Sequence, residues 1–476
     1  MTGTAASAPK VSTRRNTELL MLLFAVVLVV IAEGIVEGTR FGHVSGRIVS
    51  YGAVPLVLGL VAHVVIRKIA PYADPLLLPL VVFLNGLGLV MIHRLDLGLA
   101  QQAQDNGQKF AGGSAGAQVV WTAIGLAVLL VVLLVVRDHR VLQRYAYTLA
   151  LIGLFLIVLP IVLPASLSEV NGARIWIRLA GFSIQPGEFA RLLLAIFASA
   201  YLVSKRDVLS LAGRRVLGLD LPRGRDFGPL LVAWGLAIAT LVRGHDLGTS
   251  LMFFGLFLVL LYVATSRVSW VIIGLLLFAA GAYGAYNLFS NVRLRVDVWL
   301  NPFADQNDTG YQLAQSLYGL GTGGLFGAGL GGGHPEIVPL SQTDFIISSF
   351  GEEIGLVGLA ALLMVYALIV ARGLAIGIAS RDSFGKLLAI GLSFSFGLQV
   401  FIVVAGVSRL LPETGLTSPF LSYGGSSLVA NYAILALLLR ISDAARRPGG
   451  TPPPPPPPAA DAGGRDDTAT QPAVTA

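Results

Sequence analysis

Residues 345–371 read FIISSFGEEIGLVGLAALLMVYALIVA, a mostly apolar stretch. The hydrocarbon core of a bilayer is ~30 Å thick, so a helix needs about 20 mainly apolar residues to cross it. Comparable stretches recur along most of the chain, which predicts an all-α polytopic membrane protein with about twelve transmembrane helices. The predicted spans are 18–36, 48–66, 75–92, 118–136, 145–165, 187–203, 228–243, 248–266, 269–289, 345–371, 385–407 and 423–441.

The composition excludes a water-soluble globular enzyme. Of 476 residues, 55% are hydrophobic and 12% are charged, and the mean hydropathy is +0.77. A water-soluble surface needs a far larger share of charged side chains. The chain has no cysteine, which excludes disulfides, thiolate metal ligands and a cysteine nucleophile.

The positive charges predict the orientation in the membrane. With twelve spans both termini lie on one side, and placing them in the cytoplasm assigns 22 of the 33 Lys and Arg to cytoplasmic segments, 10 to external segments and Arg191 to the membrane. Lys and Arg are enriched on the cytoplasmic side of membrane proteins. We therefore expect a multi-pass plasma-membrane protein with both termini cytoplasmic. The net charge of +7 then reflects topology, and no nucleic-acid partner is expected.

The two ends of the chain differ in character. The first apolar run carries Glu33 and is followed by no small-residue cleavage site, so we expect a retained membrane helix and not a cleaved signal peptide. Residues 448–476 are rich in Pro, Ala and small polar side chains, which predicts a disordered cytoplasmic tail. Its polyproline tract is either a simple tether or a ligand for a partner's aromatic groove.

Three predicted external segments exceed hairpin length: 93–117, 166–186 and 290–344. The last contains ten glycines between Gly310 and Gly333. Glycine at that density lets backbone approach a ligand closely and can form amide nests for an anion, although a flexible external loop explains the run equally well. The run lacks the Gly-Lys-Ser or Gly-Lys-Thr ending of a phosphate-binding loop.

Asp344 lies where this external segment enters an apolar helix, between Thr343 and Phe345. Aspartate at a helix N-terminus is commonly a cap, because it satisfies free amides and suits the helix dipole. A carboxylate at the membrane surface is also well placed to act as a general base on the head group of a lipid-anchored substrate. The spacing alone leaves both interpretations open.

Two acidic pairs are expected inside or near the membrane. Glu352 and Glu353 lie two turns further along the same helix, where acidic side chains are costly and are normally paired or face a polar cavity. Glu188 and Arg191 are three residues apart and are expected to form an ion pair on one helical face. That pair either fixes helix packing or contacts substrate.

Further polar groups are predicted on the external side. Arg174 and Arg178, four residues apart, either grip a phosphate or anchor the chain at the interface with Trp176. Asp246 lies in GHDLGTS, between two closely spaced spans. His245 and His334 lack a second ligand at zinc-like spacing, so no histidine metal site is expected. A divalent cation, Mg²⁺ or Mn²⁺, held by acidic oxygens and a substrate pyrophosphate stays an open alternative.

Several motifs, taken in order, resemble the SEDS family, the shape, elongation, division and sporulation proteins that include RodA, FtsW and SpoVE. They are NGARIWIRLAGFSIQPGEFAR, GHDLGTS, NPFADQNDTGYQLAQS, the glycine run, TDFIISSFGEEIGLVG and LTSPFLSYGGSSLVANY, within residues 75–441. The stretch RVDVWLNPFAD and the segment 408–422 are closest to the RodA branch. The family core usually has ten transmembrane helices, so the resemblance divides the chain into a cytoplasmic segment 1–17, an added helix pair 18–70, a glycosyltransferase core 71–447 and the tail.

The resemblance implies a peptidoglycan glycosyltransferase that polymerises lipid II at the outer face of the cytoplasmic membrane, together with a class B penicillin-binding protein. The family's essential aspartate falls on Asp344, which is then the catalytic base. Substrate-binding residues are implied at Arg174, Arg178, Glu188, Arg191, Asp246, Tyr311, Gln315, Glu352, Glu353, Ser422, Tyr423, Gly424, Gly425 and Ser426.

The sequence departs from the family pattern at two places. Ile175 stands where the family often has a second arginine, which puts the grip on phosphate in doubt. Gly244 and His245 replace a Gln-Pro pair before Asp246, which alters a turn.

Two other functions are compatible with these residues. A lipid II flippase fits the intramembrane charges, but it needs a polar route through both leaflets, whereas the longest and most motif-rich loop is external. A non-catalytic scaffold of a cell-wall complex would not need Asp344.

Overall fold

The computed structural model describes residues 13–448, except residues 45, 47, 111, 171, 180–181, 207–213, 217–218, 222–227 and 244–245. The predicted tail, apart from Pro448, and most of the predicted segment 1–17 lie outside the described residues. So do Gly244 and His245.

The described elements are mainly helices joined by short loops. The helices are α1 (Arg15–Phe41), α2 (Ile48–Ile69), α3 (Leu77–Asp105), α4 (Ser114–Val135), α5 (Val141–Arg144), α6 (Ala146–Val162), α7 (Ala165–Ser168), α8 (Pro186–Ser204), α9 (Gly228–Arg243), α10 (Leu247–Thr265), α11 (Val268–Leu288), α12 (Ser290–Leu300), α13 (Tyr311–Gly323), α14 (Ile346–Ala379), α15 (Ser383–Val407) and α16 (Gly425–Arg446). The strands are β1 (Glu169–Val170), β2 (Ala173–Arg174), β3 (Ile177–Leu179), β4 (Phe182–Ile184), β5 (Arg214–Val216) and β6 (Leu219–Leu221). They pair as three antiparallel hairpins, β1 with β2, β3 with β4 and β5 with β6.

The prediction of a polytopic helical membrane protein is confirmed. Among the described residues, ten helices are long and apolar enough to cross a bilayer. The other two predicted spans, 145–165 and 228–243, coincide with α6 and α9, whose 17 and 16 residues are short for a full crossing. The count of twelve therefore stays a prediction.

The helices divide into a buried centre and a lipid-facing periphery. Within the most apolar part of α16, 89% of the residues are buried, whereas the corresponding share in α11 is 6%. Helix α16 packs against α4, α14 and α8, and α14 packs along α15. The first helix, α1, packs on α2 and α3, and α2 also packs on α4, so the N-terminal pair joins the bundle through α3 and α4.

Helix α14 is broken near its N-terminal end. Gly355 has φ 66° and ψ −174°, which interrupts the helical hydrogen-bond ladder. The carbonyl oxygens of Glu352 and Glu353 instead accept hydrogen bonds of 2.9 Å from the amides of Ala328 and Gly329. Non-helical backbone at membrane depth is tolerated where protein covers it, and here the glycine run covers the break.

The amides beyond the break also bond to the glycine run. The Leu356 amide donates to the Gly324 carbonyl at 2.9 Å, and the Val357 amide donates to the Leu325 carbonyl at 3.1 Å. The run therefore replaces the missing turn of α14 on both sides of the break.

Three glycines make this contact possible. A Cβ atom added to Gly323 would lie 2.1 Å from the Gly351 carbonyl oxygen, and one added to Gly327 would lie 2.2 Å from the Glu353 carbonyl oxygen. One added to Gly355 would lie 2.3 Å from the Gly327 amide nitrogen. The expected close approach of glycine backbone is thus found, and what the backbone approaches is the chain's own broken helix.

Candidate functional site

Asp344 lies two residues before α14, in a segment held by the loop that precedes α16. The Ser422 hydroxyl donates to the Thr343 carbonyl at 2.6 Å, and the Tyr423 amide donates to the Gln342 carbonyl at 2.8 Å. Ser422 also accepts a hydrogen bond of 2.8 Å from the Ser418 amide. Two of the residues that the resemblance indicated as substrate-binding therefore fix the backbone next to Asp344.

The helix-cap interpretation of Asp344 is wrong. The N-cap position of α14 is Phe345, whose side chain cannot accept a hydrogen bond. The Asp344 side chain is half-buried, so it is removed from bulk water without being sealed. Burial and the neighbouring carboxylate of Glu413 raise the pKa of Asp344 to about 7, although Arg295 and a hydrogen bond from Thr343 act in the opposite direction. A carboxyl group with that pKa suits a general base near neutral pH.

Arg295 and Glu413 are neighbours of Asp344 that the sequence interpretation missed. Arg295 lies on α12 and donates to the Glu413 backbone carbonyl at 3.1 Å. The segment with Glu413 reaches Asp344 as well, because a Cβ added at Gly415 would lie 3.7 Å from Asp344 Oδ2. Both residues occur in the quoted stretches RVDVWLNPFAD and 408–422, but no spacing rule relates residues so far apart in sequence.

Asp246 is a second buried carboxylate near the same cation. It caps α10, where Oδ1 accepts a hydrogen bond of 2.9 Å from the Thr249 amide. Burial raises the pKa of Asp246, and the opposing effects come from Thr249, Arg295 and Gln185. The side-chain Nε2 of Gln185 donates to Asp246 Oδ2 at 3.4 Å, and the backbone amide of Gln185 donates to the Ser426 hydroxyl at 2.8 Å. Asp246 and Ser426 are thus brought together through Gln185.

Glu188 and Arg191 form the expected ion pair. Arg191 Nη2 and Glu188 Oε2 are 3.2 Å apart, and both side chains are buried in α8. Arg191 Nη1 also donates to Gln399 Oε1 at 2.7 Å, and Gln399 donates to the Thr417 carbonyl at 2.9 Å. The pair therefore connects α8 and α15 to the segment that leads to Ser422, while direct substrate contact stays a prediction.

Arg174 and Arg178 do not share a helical face. Arg174 lies in β2 and Arg178 in β3, which belong to different hairpins. Both side chains are exposed, and Arg174 Nε is 3.1 Å from Glu169 Oε2. The four-residue spacing therefore does not bring the two guanidinium groups together as a helix would, and their grip on phosphate stays a prediction.

Glu352 and Glu353 are bound by the chain itself. Glu353 Oε1 accepts from Arg94 Nε at 2.7 Å, and its Oε2 accepts from the Gly331 amide at 2.9 Å. Glu352 Oε1 accepts from the His334 amide at 2.6 Å. Each glutamate therefore accepts one backbone amide from residues 331–334, so the anionic groups bound by this stretch belong to the chain itself. Their role as substrate ligands stays a prediction.

The remaining implied residues line the surroundings of the site. Tyr311 begins α13 and Gln315 follows one turn later, and both are half-buried. Gly424 precedes α16, and Gly425 begins it beside Trp121, whose indole would lie 2.2 Å from an added Cβ. Among the described residues, no hydrogen bond or ion pair joins Tyr311 or Gln315 to Asp344, so their role is still a prediction.

The described residues contain no group of three or more His, Asp or Glu that could hold a metal ion. Near Asp344, the charged side chains are the carboxylate of Glu413 and the guanidinium of Arg295. A cation at this place would therefore need ligands from the substrate itself, as the sequence interpretation assumed.

Comparisons with known proteins agree with the resemblance. The peptidoglycan glycosyltransferase RodA of Mycobacterium tuberculosis strain H37Rv is 54% identical over 443 residues, 93% of each chain. A chain in the structure "Structural coordination of polymerization and crosslinking by a peptidoglycan synthase complex" superposes with a TM-score of 0.62 at 28% identity, over 79% of this chain and 99% of that chain. The crystal structure of the Rod shape determining protein RodA of Thermus thermophilus gives a TM-score of 0.54 at 25% identity, over 79% of this chain and 98% of that chain.

The sequence pattern of one family covers most of the chain. It is described as cell cycle protein, with FtsW, RodA and SpoVE as its namesakes, and it matches residues 75–447. The match includes Asp344, Asp246, the Glu188–Arg191 pair and the loop before α16. With this match and a RodA relative at 54% identity, the chain belongs to the SEDS family of FtsW, RodA and SpoVE, on its RodA branch.

Proposed function

We propose that this peptidoglycan glycosyltransferase polymerises lipid II at the outer face of the cytoplasmic membrane, with Asp344 as its general base. The observation that carries the proposal is the state of Asp344: a half-buried carboxyl group with a pKa of about 7, at the entry of an apolar helix. The water-soluble head group of lipid II and its membrane-embedded tail would meet at that depth.

The reaction needs one base. The acceptor sugar hydroxyl attacks the anomeric carbon of the donor, the bond from that carbon to the pyrophosphate oxygen breaks, and the configuration inverts. Asp344 takes the proton of the attacking hydroxyl, and the lipid pyrophosphate leaves as an anion. Because pyrophosphate departs without protonation, the second carboxylic acid of a glycosidase is not required.

The leaving group needs positive charge nearby. Arg295 is the cation that acts electrostatically on both Asp344 and Asp246, which makes it the best placed of the described residues to stabilise the developing pyrophosphate charge. Arg174 and Arg178 are exposed on the preceding external loop and are further candidates. A divalent cation bound by the pyrophosphate would share that role.

Topology and partner are part of the proposal. Both termini lie in the cytoplasm, as the excess of Lys and Arg in the corresponding segments indicates, so that Asp344 faces outward. The partner is a class B penicillin-binding protein that supplies the transpeptidase. The similar chain from a peptidoglycan synthase complex supports a partner of this kind.

The flippase alternative is less well supported than the polymerase. The intramembrane charges that suggested a head-group pathway are engaged in contacts within the chain: Glu188 with Arg191, and Glu353 with Arg94. The break in α14, a feature that transporters use to bind substrate, is filled by the glycine run.

The test compares Asp344→Asn with the unchanged protein. Each is purified in detergent with a class B penicillin-binding protein whose transpeptidase is blocked, and glycan chains made from lipid II are measured. Loss of a general base costs typically 10²–10⁴ in rate, so we expect glycan synthesis to fall by at least about a hundredfold. Thermal unfolding, measured in parallel, is the control for folding.

Two results would contradict the proposal. Equal polymer from both proteins, at equal amounts of folded protein, would place the base elsewhere, either at another residue of this chain or, as the scaffold alternative requires, outside it. Movement of lipid II across liposome bilayers without any polymer would favour the flippase.

A further inference from the structure

Residues 333–344 connect the glycine run to Asp344, and two residues of α3 hold this segment near its two ends. Arg94 contacts residues 333 and 336, and Asp96 contacts residue 342. The two side chains are two positions apart on the external part of α3. The geometry of one helix therefore fixes the segment that delivers the proposed base.

Arg94 makes three contacts from a fully buried position. Its Nη2 donates to the Gly333 carbonyl at 2.6 Å, its Nη1 lies 3.0 Å from Glu336 Oε2, and its Nε donates to Glu353 at 2.7 Å. The planar guanidinium thus joins the start of the segment to the broken part of α14. A guanidinium with three partners in fixed directions allows little movement of any of them.

Asp96 holds the other end. Its Oδ1 accepts from Gln342 Nε2 at 2.8 Å, two residues before Asp344. Its carboxylate also accepts from the amides of Ser114 and Ala115 at 2.9 and 2.8 Å, which ties it to the first turn of α4. The carboxylate is therefore rigidly oriented toward Gln342.

The N-terminal helix α1 supports the same segment. Arg40 Nη2 donates to the Gly333 carbonyl at 3.2 Å and lies 3.7 Å from Glu336 Oε1. Gly331 approaches α1 so closely that an added Cβ would lie 3.2 Å from the Thr39 Cβ. Glu33 of α1 bonds to His93, the neighbour of Arg94, at 2.7 Å. The predicted extra helix thus reaches the segment directly and through α3.

We propose that Arg94 and Asp96 of α3 and Arg40 of α1 are positioning residues, which set the place of Asp344 relative to Glu413 and Arg295. The proposal rests on the proposed function, because it takes Asp344 to be the base. It gives the N-terminal helix a part in catalysis without contact to the substrate. Misplacement of a reacting group by about 1 Å can cost on the order of a hundredfold in rate, so such residues affect kcat strongly.

The experiment measures kcat, KM for lipid II and the dependence of kcat on pH, in the complex with the transpeptidase blocked. The variants are Gln342→Leu, which removes the link to Asp96 and leaves the cap of α4 intact, and Arg40→Met, which removes the link to α1. Arg40→Lys is the conservative variant. Arg67→Met, an exposed arginine at the other end of the same helix pair that bonds to Asn16, is the control.

We expect Gln342→Leu and Arg40→Met to lower kcat on the order of tenfold with an unchanged KM. The acid limb of the pH profile should move to lower pH. Asp344 is then less confined, so burial and Glu413 raise its pKa less, while Arg295 and Thr343 still favour the ionised form. Arg40→Lys should regain most of the rate, because its ammonium group also donates to the Gly333 carbonyl. Arg67→Met should match the unchanged protein.

Three results would overturn the inference, given that Asp344→Asn is inactive. The first is an unchanged kcat in both variants. The second is a rise in KM, because it indicates contact with the substrate. The third is a lower kcat with an unmoved acid limb of the pH profile, because it indicates loss of folded enzyme. An active Asp344→Asn would instead refute the proposed function itself, so the two failures are distinguishable.

Discussion

Asp344 and Glu353 are nine residues apart near the N-terminal end of α14, yet their surroundings are opposite. Both oxygens of Glu353 accept hydrogen bonds, from Arg94 and from the Gly331 amide, and its side chain is fully buried. Asp344 is half-buried and faces a second carboxylate, that of Glu413.

The difference separates two uses of a carboxyl group in a membrane enzyme. A carboxylate whose oxygens are bound within the chain contributes to structure, since any change in its protonation breaks those bonds. A carboxyl group that is removed from water and repelled by a neighbouring carboxylate holds its proton more tightly and can exchange it near neutral pH. Depth in the membrane alone does not distinguish these two residues.

The largest expected effect on stability concerns the contact between the glycine run and the backbone of Glu353. In Gly327→Ala, the new Cβ would lie 2.2 Å from the Glu353 carbonyl oxygen, at a φ of +83°. Overpacking against backbone and left-handed strain together should cost about 4 kcal/mol, so we expect little folded protein. The measurement is the yield of monodisperse protein and its thermal unfolding in detergent.

Gly329→Ala is the matched control for this prediction. Gly329 also has a positive φ, +90°, but an added Cβ there would meet open space. It should lose about 1–2 kcal/mol from strain alone. If the two variants unfolded at the same temperature, the close approach of the glycine run to α14 would not hold Glu353 in place.

Sequence patterns predicted the fold well and the site in part. Apolar length placed every predicted span on a helix, because span length is set by bilayer thickness and needs no knowledge of packing. Glu188 and Arg191 were paired correctly, because three residues on a helix fix their distance. No local rule of this kind applies to Arg174 and Arg178, which lie on strands of separate hairpins.

Contacts between distant segments had no sequence signal. Arg295 and Glu413, which are the neighbours of Asp344, come from other segments of the chain. Arg94 and Glu353, which pair with each other, are likewise far apart in the sequence. The run of glycines left close approach to a ligand and a flexible loop equally open, whereas its partner is a break in α14 that no apolar periodicity reveals. Membrane helices hide such breaks, because the residues next to Gly355, which are Ile354, Leu356 and Val357, remain apolar.

A smaller effect is expected when Glu353 loses its charge. Glu353→Gln leaves the buried guanidinium of Arg94 without its strongest partner, and removing one member of a buried pair costs about 3 kcal/mol. We expect a clear fall in the unfolding temperature. The double variant Arg94→Met with Glu353→Leu should regain part of it, because neither member of this pair is then left charged without the other, and Arg40 remains beside Glu336.

Glu169→Gln is the control, because the pair of Glu169 with Arg174 is exposed and should contribute less than about 1 kcal/mol. A Glu353→Gln protein with unchanged unfolding and a raised KM for lipid II would assign Glu353 to the substrate, and the contrast with Asp344 would disappear.

The smallest expected effect tests the other side of the comparison. The pKa of Asp344 is about 7 in the folded protein, above its ordinary value of 3.8, so the folded state binds the proton more tightly. Ionisation of Asp344 therefore lowers the stability of the fold. The loss grows as the pH rises from about 4 to 7 and keeps a fixed value above pH 7. Asp344→Asn, which cannot ionise, should gain more stability over the unchanged protein at pH 8 than at pH 5.

Thermal unfolding at both pH values measures this difference. Asp297→Asn, at an exposed aspartate of α12, is the control for loss of one negative charge. If the gain were equal at both pH values, Asp344 would not be the strained carboxyl group that a base with this pKa requires, and the difference between its surroundings and those of Glu353 would have no chemical consequence.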